Sequence, residues 1–414
     1  MQAWLSGTLC LSALLLPFSI GAANTLFGVL LAGTLLTGLW WQGAKAAYQH
    51  WPLFFHIWAG YFGLMLLGML WTPDVAWGWH IFPQYWAWLL LPVFVCLLQD
   101  PVWRKRFLFA LSLGLLLQLL ACVGQAFGLT LPVANGSMAA DPAGFIGHIG
   151  FGLIYGLWAS WLIHWAHIHR AHDAWAWGAR AAAALSFVMV FVVQGRSGYI
   201  EAILLLLFVV WQVYLRRFGW RPMLWLLPAL LILMVVLSQS HGGKRVMQTV
   251  DSLRAMEQMD FSQAEERVSL MYAGVMTWWQ HPWLGAGTGS FPMMAHSFQQ
   301  EHPELGLHFT EDVTNPPPSS PHNFYIMMLA RWGPVGLLLL LALYIVWFRK
   351  GLAADWNHSS ASMLSLSALG IATHAMTSMP FEEYYSTVFG MLWCAAGLAG
   401  VMVEERTVTM KEDA

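Results

Sequence analysis

Charge is what this 414-residue chain has least of. Asp, Glu, Lys and Arg make up 10% of it, against 58% hydrophobic residues, where a soluble domain carries roughly 25% charged residues. The scarcity excludes a soluble globular protein and reads as an integral membrane protein. A basic excess is missing too. The formal net charge is −2, which excludes the electrostatic footprint of a nucleic-acid binder. Cysteine is rare, and Cys10, Cys96, Cys122 and Cys394 all lie inside apolar runs. That excludes a disulfide framework or a thiolate metal site and leaves small buried hydrophobes. The first apolar run lacks the basic flank of a signal peptide and is followed almost at once by another. It is read as a retained helix, and no lipidation box precedes Cys10.

What is present is long apolar runs. A spanning helix takes about 20 apolar residues. Twelve such segments are expected, at 4–21, 24–41, 52–71, 84–98, 107–127, 147–166, 178–194, 198–215, 222–239, 323–347, 360–379 and 384–403. The fourth is short. The seventh and eighth, separated by Gln194-Gly195-Arg196-Ser197, form a tight hairpin, and Pro228 should kink the ninth. With the N-terminus cytoplasmic, thirteen of the nineteen Lys and Arg fall on the inner side and six on the outer. The positive-inside rule then sets both termini in the cytoplasm. The expected fold is an all-α polytopic membrane protein. Residues 1–238 hold helices 1–9, residues 239–321 form a long helical outer loop, and residues 322–414 hold helices 10–12 and a short cytoplasmic tail.

The outer loop is the one extramembrane piece large enough to fold. Val246, Val250, Leu253 and Met256 recur at helical spacing, so 244–260 reads as an amphipathic helix on the bilayer surface. A second helix is expected over 264–280, ended by Pro282. The run from His281 to Phe291, HPWLGAGTGSF, follows, and its alternating glycines let backbone pass close to another group. Residues 301–321 are rich in proline and acids and read as a non-helical flap.

Arg196, at the tip of the helix 7–8 hairpin, Arg267, in Glu-Glu-Arg-Val-Ser-Leu, and His322, opening helix 10, all fall at the outer boundary. The guanidinium fork stays charged and binds two oxygens of a phosphate at once. Two such groups suit a lipid-linked diphosphate, stabilising it as it leaves. A neutral imidazole suits a general base toward a sugar hydroxyl, its ring oriented by Asn323 or a nearby carbonyl. No Asp-x-Asp pair occurs on the outer side, so the usual carboxylate anchor for a divalent ion is missing, which favours Arg over metal. Each residue also has a plainer reading: Arg267 as salt-bridge partner of Glu265 or Asp260, Arg196 snorkelling to lipid phosphates, His322 as a helix-start residue beside an Asn323 cap. Arg331, nine residues into helix 10 and about 13 Å below His322 at the helical rise, should face the bundle and pair with an acid, with Glu201 a candidate. His148 lines the site or packs at the interface. His374 reads as a satisfied core residue. His167, His169 and His172 read as interfacial rather than as metal ligands. Glu382 and Glu383 touch a sugar or solvate a short outer turn.

Gln194-Gly195-Arg196-Ser197-Gly198-Tyr199, Glu266-Arg267-Val268, His281 to Gly289, Pro321-His322-Asn323 and Trp332-Gly333-Pro334-Val335-Gly336-Leu337 together resemble the bacterial O-antigen ligase family, over roughly residues 190–345. The resemblance implies an inverting GT-C-type glycosyltransferase of the inner membrane, active on the periplasmic face. The donor would be an undecaprenyl diphosphate-linked glycan and the acceptor a lipid A–core sugar. No metal, nucleotide sugar or other cofactor would be needed. It assigns Arg196 and Arg267 to the diphosphate and His322 to the base, with Asn323, Arg331 and His148 as further substrate-binding candidates. Arg331 departs from the family pattern, where Gln or Glu is more usual. A polymerase of the same clan is the nearest alternative. A lipid-linked glycan transporter is another, but it would carry charges along a path through the bilayer midplane rather than on one face.

Overall fold

A computed structural model of the protein describes residues 1–130, 141–169, 174–193, 195–216, 261, 266–307, 309 and 319–412. Among them every regular element is helical. In chain order these are α1 (Gln2–Leu15), α2 (Ile20–Leu36), α3 (Leu39–His50), α4 (Pro52–Leu67), α5 (Val75–Ile81), α6 (Leu91–Leu98), α7 (Pro101–Ala126), α8 (His148–Ile168), α9 (Ala174–Val192), α10 (Arg196–Val210), α11 (Glu266–Gln280), α12 (Phe291–Glu301), α13 (Phe324–Ala353), α14 (Ser359–His374) and α15 (Tyr384–Glu412). Among the described residues eight stretches are long and apolar enough to cross a bilayer, and a ninth follows if α2 and α3 form one bent span. The protein is a polytopic helical membrane protein. The expected helices at 222–239, with Pro228, and at 244–260 lie outside the described residues.

Local chemistry explains where the helices depart from the expected spans. The first is 14 residues long, because Pro17 disfavours helix in the residue before it. The second is broken at Gly38, which takes a left-handed φ of 73°, and α2 and α3 meet at 88°. The fourth is longer than its apolar run. Asp74 caps α5 by accepting the Trp77 N–H at 2.8 Å, and a 3₁₀ stretch, Phe82–Leu90, joins α5 to α6, giving 24 residues from Val75 to Leu98. At the expected helix 7–8 hairpin, α9 ends at Val192 and α10 begins at Arg196. Residues 291–301, which carry no expected element, form α12, with Pro292 in its first turn.

The tenth expected span is two helices. Trp332 and Gly333 leave helical geometry (φ/ψ −137°/15° and 61°/−155°). In a straight helix Tyr325 and Tyr344 would stand about 28 Å apart at the helical rise, yet their ring centroids are 6.2 Å apart. Phe324 and Tyr344 both pack on Phe381, at 5.5 and 6.0 Å, and Gly336 lies against the Met328 carbonyl. The residues from Phe324 to Arg331 therefore fold back along the segment that starts at Pro334. His322, at the free end of this half-helix, returns into the bundle instead of standing above Arg331.

The glycine-rich loop pins that break. Carbonyls freed at a helix break need donors. Ala286 N–H donates to the Ala330 carbonyl at 2.8 Å and Gly287 N–H to that of Arg331 at 2.9 Å. The Thr288 hydroxyl donates to the Met65 carbonyl at 2.7 Å and accepts from the Trp332 indole at 3.1 Å. Gly289 N–H donates to the Thr72 hydroxyl at 2.9 Å. At Gly285, with φ 64°, a methyl group would sit 2.4 Å from the Arg331 carbonyl carbon. The close backbone approach expected of HPWLGAGTGSF is thus real, and its object is the break in α13. Between α10 and α13, Phe261, Val268, Phe298, Leu305 and Leu307 pack as a small separate core with Tyr272 and Met276.

Candidate functional site

Several helices begin at the same place. A methyl group on Gly195 would lie 2.6 Å from the His148 carbonyl oxygen, so α8 and α10 start side by side. Tyr385, in the first turn of α15, has its Cβ 3.4 Å from where a Gly150 methyl would be, and its hydroxyl donates to the Phe145 carbonyl at 3.3 Å. The start of α13 is latched to the end of α14. Phe324 N–H donates to the Ala375 carbonyl at 2.7 Å, and the Asn323 amide donates to that of Met376 at 2.9 Å. The Asn323 side-chain Oδ1 caps α13 by accepting Ile326 N–H at 3.0 Å. α11 lies along this half-helix, with Gly274 against Pro321 and Ile326. Each helix start carries a partial positive charge from its unpaired N–H groups, so their convergence favours an anion.

His322 sits half-buried at this junction with φ 49°, the one positive φ outside glycine among the described residues. Such a backbone conformation in a non-glycine residue is uncommon and persists where surroundings fix it. Burial pushes the His322 imidazole pKa below its ordinary value, the charge of Arg267 pushes it further down, and Glu383 and Glu266 oppose them. The ring is therefore held neutral near physiological pH. Arg267, the second residue of α11, is exposed and close enough to act on His322 electrostatically. Its suggested partners Glu265 and Asp260 lie outside the described residues. Arg196 is described through its backbone, as the first residue of α10, next to the Gly195–His148 contact.

Behind this junction lies a buried network. His374, the last residue of α14, is bonded through Nδ1 to Glu201 Oε1 at 2.8 Å and through Nε2 to Glu383 Oε2 at 3.2 Å. Glu383 also accepts from the Ser378 hydroxyl, Met379 N–H at 3.1 Å and the Ser386 hydroxyl at 3.2 Å. Burial raises the Glu383 carboxyl, but His374, Ser378 and Met379 outweigh it and hold the pKa at about 2.

The neighbouring residues resolve the lesser candidates. His374 is, as expected, a satisfied core residue. Arg331 does face the bundle and pair with an acid, but that acid is Glu382, not Glu201. Arg331 Nη1 bonds Glu382 Oε1, and Nη2 bonds Oε2 at 3.1 Å. Its side chain is 1% exposed, and the Tyr85 hydroxyl, itself 2.7 Å from that of Tyr61, donates to the same Glu382 at 3.0 Å. Neither Glu382 nor Glu383 serves to solvate a turn. His148 is half-exposed and bonds Asp141 at 3.0 Å. The Asn323 side chain is taken up by its cap and latch rather than by the His322 ring. His167 packs edge-on to Tyr214 and His169 stacks on Trp165, while His172 lies outside the described residues. Sequence reasoning missed the Glu201–His374–Glu383 chain. Two consecutive acids in a short turn of a charge-poor sequence were the available signal.

These features describe a membrane-embedded helical protein whose polar chemistry gathers where helices begin. Residues 181–341 match the sequence model of the family described as O-antigen ligase. No curated protein matches the chain. The matched stretch contains Arg196, Glu201, Arg267, the glycine-rich loop, His322 and the break in α13. It leaves out His148, His374, Glu382 and Glu383.

Proposed function

We propose that the protein is an O-antigen ligase, moving a glycan from undecaprenyl diphosphate to a sugar hydroxyl of lipid A–core on the periplasmic face of the bacterial inner membrane. The observation that supports this most is the meeting of a neutral, strained His322 and the cationic Arg267 near several positive helix ends, both residues lying in the stretch that matches the O-antigen ligase family model. In this reading the chain is a GT-C-type enzyme with twelve spans, cytoplasmic termini and residues 239–321 as a periplasmic loop domain. His322 takes the proton from the acceptor hydroxyl, and the freed oxygen attacks the anomeric carbon from the face opposite the diphosphate. The carbon–oxygen bond to the diphosphate breaks, the diphosphate keeps the electron pair, and Arg196 and Arg267 stabilise the charge it gains. The anomeric centre inverts, and the proton passes from the imidazolium to solvent. Charge stabilisation by arginine leaves no step that requires a metal or cofactor.

The test is ligation by the purified full-length protein with undecaprenyl diphosphate-linked glycan and lipid A–core. Wild-type protein should attach glycan to the core, and His322→Ala should fall by roughly 10²- to 10⁴-fold. Lengthening of carrier-linked glycan without transfer to the core would identify the polymerase activity of the same clan instead. A wild-type rate from His322→Ala would remove the base.

A further inference from the structure

Glu201, His374 and Glu383 form a chain of three ionisable groups that is closed at one end and open at the other. The Glu201 and His374 side chains are 2% and 0% exposed, whereas that of Glu383 is 30% exposed. A pair built for stability alone would be sealed at both ends, since an exposed ion pair contributes little. His374 already has a carboxylate in Glu201, so it does not need a second one to be satisfied. Glu383, for its part, is held by four donors from His374, Ser378, Met379 and Ser386. A carboxylate so fully donated to is fixed in place and ionised.

The network meets the junction that holds His322 at the end of α14. Ala375, next to His374, receives the Phe324 N–H, and Met376 receives the Asn323 amide. The end of α14 therefore fixes both the backbone beside His322 and the carboxylate of Glu383. Among the described residues, the charged groups acting on His322 are Glu383, from the turn before α15, and Arg267 and Glu266, from α11.

We propose that Glu383 is a positioning residue for His322, a fixed carboxylate that stabilises the imidazolium formed when the acceptor proton is taken, and that His374 and Glu201 tie it to the helix that begins at Arg196. The proposal rests on the reading of His322 as the base. A base that becomes cationic in the transition state gains from a preorganised anion nearby.

The experiment is a pH–rate profile of the purified full-length protein and its Glu383→Gln, Glu383→Asp, Glu201→Gln and His322→Ala variants. Removing the anion lowers the basicity of His322. Glu383→Gln should therefore lose roughly 10- to 100-fold in kcat, with KM for the donor nearly unchanged and the acid limb of kcat/KM moved to lower pH. Glu383→Asp should move the limb in the same direction by less. Glu201→Gln alters the closed end of the chain and should leave the limb at its wild-type pH. A Glu383→Gln limb at the wild-type position, beside an inactive His322→Ala, overturns this proposal while leaving the base intact. An equal shift from Glu201→Gln also overturns it, since that is what a purely structural network would give. A His322→Ala protein with wild-type rate and limb sinks the base reading itself. If the Gln variant does not fold, Glu383→Asp carries the test, and an unshifted limb there is a negative result.

Discussion

Glu382 and Glu383 are consecutive residues whose carboxylates serve different helices. Glu382 closes on Arg331 at the break in α13, and Glu383 on His374 at the end of α14. One short turn thus ties the folded-back half-helix that carries His322 to the buried network behind it.

The Arg331–Glu382 pair is almost fully out of solvent, at 1% and 9% exposure. Removing one partner leaves an uncompensated buried charge, which costs about 3–5 kcal/mol. Arg331→Met and Glu382→Leu are each expected to lower thermal stability in detergent by that order. The double variant should recover much of the loss. A purely substrate-binding Arg331 would instead give a stable single variant with a raised KM.

Gly285 combines a positive φ with a carbonyl where its side chain would be. Gly285→Ala should destabilise by about 3 kcal/mol or more, from backbone strain and displacement of the half-helix. The measurement is the melting temperature of the purified variant, and a wild-type value would show that the loop does not pin the break.

Arg267 and Glu383 act on His322 with opposite sign. Arg267 lowers its pKa, so Arg267→Gln should move the acid limb of the rate profile to higher pH, while the loss of diphosphate contact lowers kcat by roughly 10²- to 10³-fold. Limb shifts of the same sign from the Arg267 and Glu383 variants would contradict the arrangement.

Glu383 has a folded pKa of about 2 against an ordinary 4.5. A depressed carboxyl pKa contributes stability that is fully present above the unfolded value and is lost as pH falls through the folded one. The contribution should disappear between about pH 4.5 and pH 2. Melting temperatures across that window should fall more steeply for wild type than for Glu383→Gln, and parallel slopes would count against the ionised carboxylate.

Much of this architecture could be read from residue order. Apolar runs announced the helices, and arginine in a charge-poor sequence singled out Arg267, whose charge acts on His322. What could not be read were contacts made at long range. Nothing near Arg331 names Glu382, fifty-one positions away, and nothing near Glu201 names His374. The break in α13 was also hidden, because Trp332-Gly333-Pro334 sits inside a largely apolar run and a glycine there is equally compatible with a straight helix. Its fold-back depends on donors supplied by residues 286 and 287. Pro17 and Gly38, by contrast, ended their helices through local rules that act on the residue itself.

The stretch that matches the family model, residues 181–341, is not self-sufficient. Glu201 and Arg331 lie inside it, while their partners His374 and Glu382 lie beyond it. A hybrid that transplanted 181–341 between relatives would strand a carboxylate and a guanidinium in apolar surroundings unless the donor's final two helices travelled with it. Recombination within such a lineage should therefore favour crossovers that keep everything from α10 to α15 on one parental segment.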